Sequence, residues 1–297
     1  MTVVATIPYK GGVVITADSR GTMAPPLPVV VFYWDRMKKM YVTRNRSDMV
    51  ITIQGGAEIA DAAAHTLMKS EGLLKDYCAE TNKRKKAAML KELERRLADS
   101  TKDCRAIPFI GNISSALLVA LRLDDGTIKT FEVEVEPAKN VFTEPKAKLT
   151  STDWMPIADG LDGAPQDYLL DLAETMYVHS KMQLPDALTI AFLLQDRYAE
   201  EHYVLRWHGA KIMGAGGPMV LHVMSSDGRD LDMVVSKAER KSLENRSYGE
   251  LRDYFEARAA QKLKQLEAEG ETEPARALLR KDGATAQKRT GKNAVTG

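Results

Sequence analysis

The chain has 297 residues, 44% of them hydrophobic, and its 42 basic and 41 acidic side chains leave a net charge of +1. This length predicts one large domain or two small ones, and the near-neutral balance gives no global reason to bind nucleic acid or an anionic membrane. No apolar run approaches the ~18 residues that cross a bilayer, and we see no signal peptide. Cys78 and Cys104 are too few for a disulfide scaffold, so we expect structural thiols in a cytoplasmic protein.

The chain opens with two β-branched runs, residues 2–7 and 12–17, separated by a short turn. This pattern predicts a strand, a turn and a strand. Thr2 follows Met1 directly, and because threonine is small, removal of Met1 would leave Thr2 as the N-terminal residue. Such a residue has a hydroxyl and an α-amine, whose reference pKa near ~7.7–8.0 suits a general base at neutral pH. The alternative is that Met-Thr is simply a common, easily processed start.

The next segment of the chain, residues 24–102, is predicted to contain strands followed by two helices. Prolines rule out regular structure at 24–28, and the apolar run 29–34 is either a buried strand or a surface for a neighbouring subunit or a substrate. Strands are expected at 38–42 and 49–53. Gln54-Gly55-Gly56 then leads into an Ala-rich helix over 57–74, followed by a charged helix over 75–102.

The second half repeats this order. A hairpin across Asp124-Asp125-Gly126 joins strands 114–123 and 127–135, and further strands are expected at 154–158, 203–208 and 219–224. Helices are predicted over 165–181 and 185–199. The pattern favours an α+β fold, in which two stacked antiparallel sheets carry helices on their outer faces. We predict a main domain over 1–235, a helical C-terminal extension over 236–282 and a disordered basic tail over 283–297.

Four motifs occur in an order and approximate spacing that can be compared with a known family. They are Thr2-Val3-Val4, then Gly11-Gly12-Val13-Val14-Ile15-Thr16-Ala17-Asp18-Ser19-Arg20-Gly21-Thr22, then Lys38-Lys39-Met40, then Gln54-Gly55-Gly56-Ala57-Glu58-Ile59-Ala60-Asp61. In these motifs the chain resembles a β-type proteasome subunit of the bacterial proteasome-homologue kind, which is an N-terminal-nucleophile hydrolase and threonine peptidase. The resemblance covers residues 2–225 in layout. It implies a four-layer αββα sandwich and peptide-bond hydrolysis inside a chamber of stacked rings.

The resemblance also implies roles for particular residues. Thr2 matches the catalytic threonine, Asp18 the acid that orients a lysine, and Lys39 that lysine. Lys38 is the alternative to Lys39, which we prefer because a hydrophobic residue follows it directly. Gly55 or Gly56 matches the glycine whose N–H holds the tetrahedral oxyanion. Thr22 matches the residue that binds the substrate backbone as an added strand.

Three departures from the family pattern leave the function open. Residues are inserted between Thr22 and Lys39. The turn at 160–163 lacks the family's serine, and Asp162 is its only candidate substitute. Asp196 matches a later aspartate, but Ala199 stands where serine is expected.

Three functions are therefore retained. The first is a threonine peptidase. The second is a proteasome-like ring protein with a structural or binding role and no peptidase activity, and the third is a hydrolase of non-peptide amides. The expected partners are a peptide or unfolded-protein substrate and further copies of the chain in a stacked double ring. The resemblance implies rings of sevenfold symmetry, with sixfold symmetry as the alternative. An ATPase or activator would be a separate protein, since no Walker-type loop is present. No metal-ligand spacing occurs among the histidines, so no cofactor is expected.

Overall fold

The computed structural model describes residues 4–19, 21–23, 32–34, 38–43, 48–102, 104, 115–138, 144–152, 157–159, 164–179, 181–198, 204–207, 210–213 and 217–270. Their strands form two antiparallel five-stranded sheets and two separate hairpins. Helices cover the outer face of each large sheet.

The first sheet has the strand order β10-β1-β2-β13-β14. Its strands are β1 (Val4–Tyr9), β2 (Gly12–Asp18), β10 (Ile157–Asp159), β13 (Met219–Ser225) and β14 (Leu231–Val235). Every residue of β1 and β2 is buried, because helices cover one face of this sheet and the second sheet covers the other. This explains why both strands consist mostly of apolar residues and show no regular alternation with exposed polar residues.

The second sheet has the strand order β5-β6-β7-β8-β9. Its strands are β5 (Met40–Val42), β6 (Met49–Gln54), β7 (Ser115–Arg122), β8 (Ile128–Glu136) and β9 (Lys146–Ser151). Val13, Ile15 and Met224 of the first sheet pack against Val50 and Ala120 of the second. The two sheets therefore meet through an apolar layer of their own.

Two small hairpins accompany the sheets. They are β3 (Gly21–Met23) with β4 (Phe32–Trp34), and β11 (Val204–Trp207) with β12 (Ala210–Met213). The end of the apolar run at 29–34 is thus a strand, and residues 29–31 lie outside the described residues. Four of the described strands, β3, β9, β12 and β14, have no counterpart among the predicted elements.

Within the described residues, three helices lie outside the second sheet: α1 (Ala57–Lys69), α2 (Glu71–Ala79) and α3 (Lys83–Ser100). The helices predicted over 57–74 and 75–102 were wrong at their boundaries, since one ends at Lys69 and the other is interrupted. Asn82 explains the interruption. Its side chain accepts hydrogen bonds from the N–H groups of Arg84 and Lys85 and so caps the start of α3.

In the part of the chain that the structure describes, four helices lie outside the first sheet: α4 (Ala164–Val178), α5 (Leu184–Leu193), α6 (Lys237–Leu243) and α7 (Tyr248–Gly270). A π-helical turn, Leu194–Tyr198, extends α5. Leu243, Leu251 and Phe255 of the two C-terminal helices are buried in the same apolar cluster as Ile7 and Leu221 of the sheet. With a helical layer on each side of two packed antiparallel sheets, the predicted αββα sandwich is confirmed.

Candidate active site

Asp18 and Lys39 form a buried ion pair at one end of the sandwich. Asp18 is the last residue of β2, and Lys39 directly precedes β5 in the other sheet. Lys39 Nζ lies 2.8 Å from Asp18 Oδ1, and the two side chains are 2% and 1% exposed. A buried ammonium is costly without an opposite charge, and Asp18 offsets that cost. Lys38 is exposed and its Nζ lies 4.2 Å from the centroid of the Tyr41 ring.

The start of β1 lies at this same end. Val4, the first residue of β1, is paired with Ala17, the neighbour of Asp18. Val4 and Ala17 also form an apolar cluster with Leu118, and Met40, the neighbour of Lys39, packs against it. The beginning of β1, the end of β2 and the beginning of β5 are thus brought together. Thr2 itself lies outside the described residues.

The two glycines belong to the turn between β6 and α1. The N–H of Ile53, in β6, donates to the Lys39 carbonyl at 3.0 Å. The strand that leads into this turn therefore lies beside Lys39. Gly55 has a φ of 93°, a conformation that disfavours side chains. Gly56 caps α1, and its carbonyl accepts a hydrogen bond from Ser115 Oγ at 3.2 Å. The first N–H groups of a helix have no partner within it and can meet an anion.

The remaining residues singled out in the sequence are Thr22, Asp162, Asp196 and Ala199. Thr22 lies in β3 opposite Tyr33, and Asp162 and Ala199 lie outside the described residues. Asp196 lies in the π-helical turn, where its Oδ1 is 3.0 Å from Nε of Arg240; the side chains are 6% and 7% exposed. Reasoning from the sequence missed Arg240, because nothing distinguishes it within the charged C-terminal segment.

Neither a metal centre nor a membrane span emerges from the part of the chain that the structure describes. Among those residues no group of three or more His, Cys, Asp or Glu side chains is placed to hold a metal ion. None of their helices is both long enough and apolar enough to cross a bilayer.

Several solved structures resemble this chain, whereas no protein-family model and no curated protein matches it. The Anbu (Gly-1) mutant from Hyphomicrobium sp. strain MC1 aligns with a TM-score of 0.50 and 14% identity, over 88% of this chain and 96% of that one. The two chains share a fold.

Two further Anbu structures also align with this chain. Anbu from the same strain aligns with a TM-score of 0.48 and 13% identity, over 87% of this chain and 95% of that one. Anbu from Yersinia bercovieri, described as an ancestral β-subunit, aligns with a TM-score of 0.45 and 13% identity, over 88% and 95%.

Proposed function

We propose that the chain is an N-terminal-nucleophile hydrolase that cleaves peptide bonds with Thr2 after removal of Met1. One observation carries this proposal: the buried Asp18–Lys39 ion pair lies where β1 begins. The Gly55–Gly56 turn follows from the strand beside Lys39. The proposal is supported because three features lie at one end of the sandwich: the Lys39 ammonium, the start of β1 and the backbone N–H groups of the turn after β6.

The reach of the chain supports a role for Thr2. Consecutive Cα atoms are 3.8 Å apart across a trans peptide, so the Cα of Thr2 is at most about 7.6 Å from that of Val4. Val4 in turn belongs to the apolar cluster against which Met40, the residue after Lys39, packs. A lysine ammonium near the Thr2 amine and hydroxyl favours the deprotonated form of both groups. The Asp18 carboxylate keeps the Lys39 head group in place for this task.

The proposed reaction is an acyl transfer. Thr2 Oγ attacks the scissile carbonyl carbon, and its proton passes to the α-amine of the same residue, directly or through a water. The N–H of Gly55 or Gly56 holds the oxygen that becomes negative. The protonated α-amine of Thr2 then gives this proton to the departing amine of the substrate, and an ester remains on Thr2. Water attacks this ester while the α-amine of Thr2 takes one of its protons. The protonated amine then returns that proton to Thr2 Oγ as the ester bond breaks, and the carboxylic acid product and free Thr2 are released.

A second candidate is a proteasome-like ring protein without peptidase activity. It is favoured by Ala199 and by the serine-free turn that contains Asp162, since both positions carry serine in the pattern that the chain resembles. A carboxylate at 162 near the α-amine would hold it as an ammonium and weaken it as a base. Both candidates include assembly into a stacked double ring, for which the chain would supply identical subunits.

The deciding experiment is intact-mass analysis before and after exposure to a peptide epoxyketone, an electrophile that reacts with an N-terminal threonine. We expect loss of Met1 and one adduct per chain, located on Thr2 by peptide mapping. Thr2→Ala should form none, whereas Thr6→Ala, a threonine substitution within β1, should still be labelled. Loss of Met1 without an adduct would favour the second candidate, and native mass spectrometry of the same sample would report whether rings form.

A further inference from the structure

Arg240 connects the C-terminal helices to the end of α5. Its Nε donates to Asp196 Oδ1 at 3.0 Å, its Nη1 to the Gly217 carbonyl at 2.9 Å and its Nη2 to the Gln195 carbonyl at 3.3 Å. The guanidinium is a rigid planar fork with five donors. One buried side chain of α6 therefore holds a carboxylate and two separate stretches of backbone.

The Gly217 contact leads to the proposed active site. The carbonyl of Pro218, the next residue, accepts a hydrogen bond from Ser19 Oγ at 2.8 Å. Met219 then pairs with Asp18 across β13 and β2. Arg240 thus holds one end of a three-residue segment whose other end lies beside Asp18. The positive φ of Gly217, 78°, allows the chain to turn there.

The shape of α5 brings the other two acceptors to Arg240. Over Leu194–Tyr198 the helix widens from α to π, a change that is rare and frequently found at functional sites. The carbonyl of Gln195 and the carboxylate of Asp196 both reach the guanidinium from this turn. The turn also lies against β2, the strand that ends in Asp18.

We propose that Arg240 is a positioning residue of the active site. It anchors Asp196 in the π-helical turn and fixes the 217–219 segment that lies behind Asp18, and this role rests on the function proposed above. The C-terminal helices thereby belong to the catalytic unit, because they supply the side chain that holds two of its parts in register.

The test compares the rate at which Thr2 reacts with the epoxyketone in variants of the full-length protein. Arg240→Met should lower this rate by about 10²-fold, the effect expected of a misplacement near 1 Å, and should lower kcat for a peptide substrate while KM stays unchanged. Arg240→Lys keeps the charge but not the fork, and should recover part of the rate. Arg252→Met is the matched control. Arg252 of α7 pairs with buried Asp186 at the other end of α5, Nε to Oδ1 at 3.0 Å, so its loss should leave the rate within twofold.

A double-mutant cycle identifies the route of the effect. Asp196→Asn should slow labelling in the wild-type background and have no further effect in Arg240→Met, because residues that act as a unit are not additive. If Arg240→Met does not fold, the double variant Arg240→Gln, Asp196→Asn is used in its place, because it removes both buried charges together. Labelling of this double variant at the wild-type rate would count against the proposal.

The outcomes separate the two proposals. If the wild-type protein is labelled on Thr2 and both Arg240→Met and Arg240→Lys are labelled at the same rate, the proposed role of Arg240 is overturned and the proposed function is not. Additive effects of the Arg240 and Asp196 substitutions also overturn it, since Arg240 would then not act through Asp196. Absence of any adduct in the wild-type protein overturns the proposed function and, with it, the role of Arg240.

Discussion

Two adjacent lysines have opposite environments in this protein. Lys39 is buried and paired with Asp18, whereas Lys38 is exposed and lies over the ring of Tyr41. In the sequence they form a Lys-Lys pair, and only their flanking residues distinguish one lysine from the other. The difference arises because Met40, the first residue of β5, packs near the end of β2. Of the two lysines before it, only Lys39 has its side chain directed towards Asp18.

The first prediction separates these lysines by function. Lys39→Met should lower the rate of Thr2 labelling by about 10²-fold or more, by analogy with the loss of other electrostatic groups that act on the reacting atoms. Lys38→Met should change it by less than twofold. Removing one member of a buried pair also costs about 3–5 kcal/mol of stability, so unfolding must be measured in parallel. Equal labelling rates in the two variants would remove Lys39 from the mechanism.

The second prediction concerns Tyr9, at the end of β1. Burial raises the pKa of its hydroxyl from 10 to about 12, with Asp227 and Asp230 adding to the rise and Ser225 opposing it. The unfolded chain loses this proton first, so the stability present below pH 10 is lost as pH rises towards 12, by at most about 1.4 kcal/mol per pH unit. Urea unfolding across this range should show a shallower decline in Tyr9→Phe. Parallel pH dependences would show that Tyr9 is not responsible.

At the scale of elements, close contact between β2 and β13 depends on Gly12. A Cβ added at this position would lie 2.1 Å from the backbone carbonyl oxygen of Met224, far inside van der Waals contact. The β2 strand could not then keep its pairing with β13 without a shift of backbone. A glycine at the start of a β-branched run is therefore required by the neighbouring strand.

The third prediction follows from this contact. Gly12→Ala should destabilise the protein by about 1–3 kcal/mol or more, the usual cost of overpacking. Gly72→Ala is the matched control: the added Cβ meets nothing within 4 Å in α2, and alanine favours helix over glycine by up to about 1 kcal/mol. Chemical denaturation at one protein concentration would measure both. A neutral Gly12→Ala would mean that the two strands separate easily there.

At the scale of the whole molecule, the C-terminal helices are part of the core of the sandwich. Leu243, Leu251, Phe255 and Ala259 are buried in the cluster that also contains residues of β1 and β13. Buried Asp186 of α5 further accepts hydrogen bonds from Tyr248 Oη and Arg252 Nε of α7. The segment predicted as an extension beyond residue 235 thus begins with helices that cover the first sheet.

The fourth prediction compares two truncations. Removal of residues 236–297 should abolish cooperative folding, because losing each buried leucine or phenylalanine contact costs about 2–5 kcal/mol and a domain has only about 5–15 kcal/mol in total. Removal of residues 283–297, predicted to be a disordered tail, should leave the melting temperature unchanged. A stable, cooperatively unfolding product of the longer deletion would make 1–235 an independent domain.

Much of the fold was predictable because its signals are local. The β-branched runs at 12–17 and 49–53, the turn at Asp124-Asp125-Gly126 and the Ala-rich stretch after Gly56 each specify an element from neighbouring residues. Counting paired strands and paired helices then led to two sheets between helical layers. The interruption before α3 was missed, since it depends on one Asn side chain competing with a long helical pattern.

The sequence by itself indicated most of the strands and most of the outer helices, and its resemblance to a known family supplied the candidate catalytic residues. The tertiary structure pairs Asp18 with Lys39, 21 positions away, as the resemblance implied. It also pairs Asp196 with Arg240, 44 positions away, which nothing in the sequence indicated. The physical reason is that a buried charge must find its partner in space, and spatial neighbours are set by how sheets and helices pack. Local sequence patterns report the elements, but not the contacts made between them.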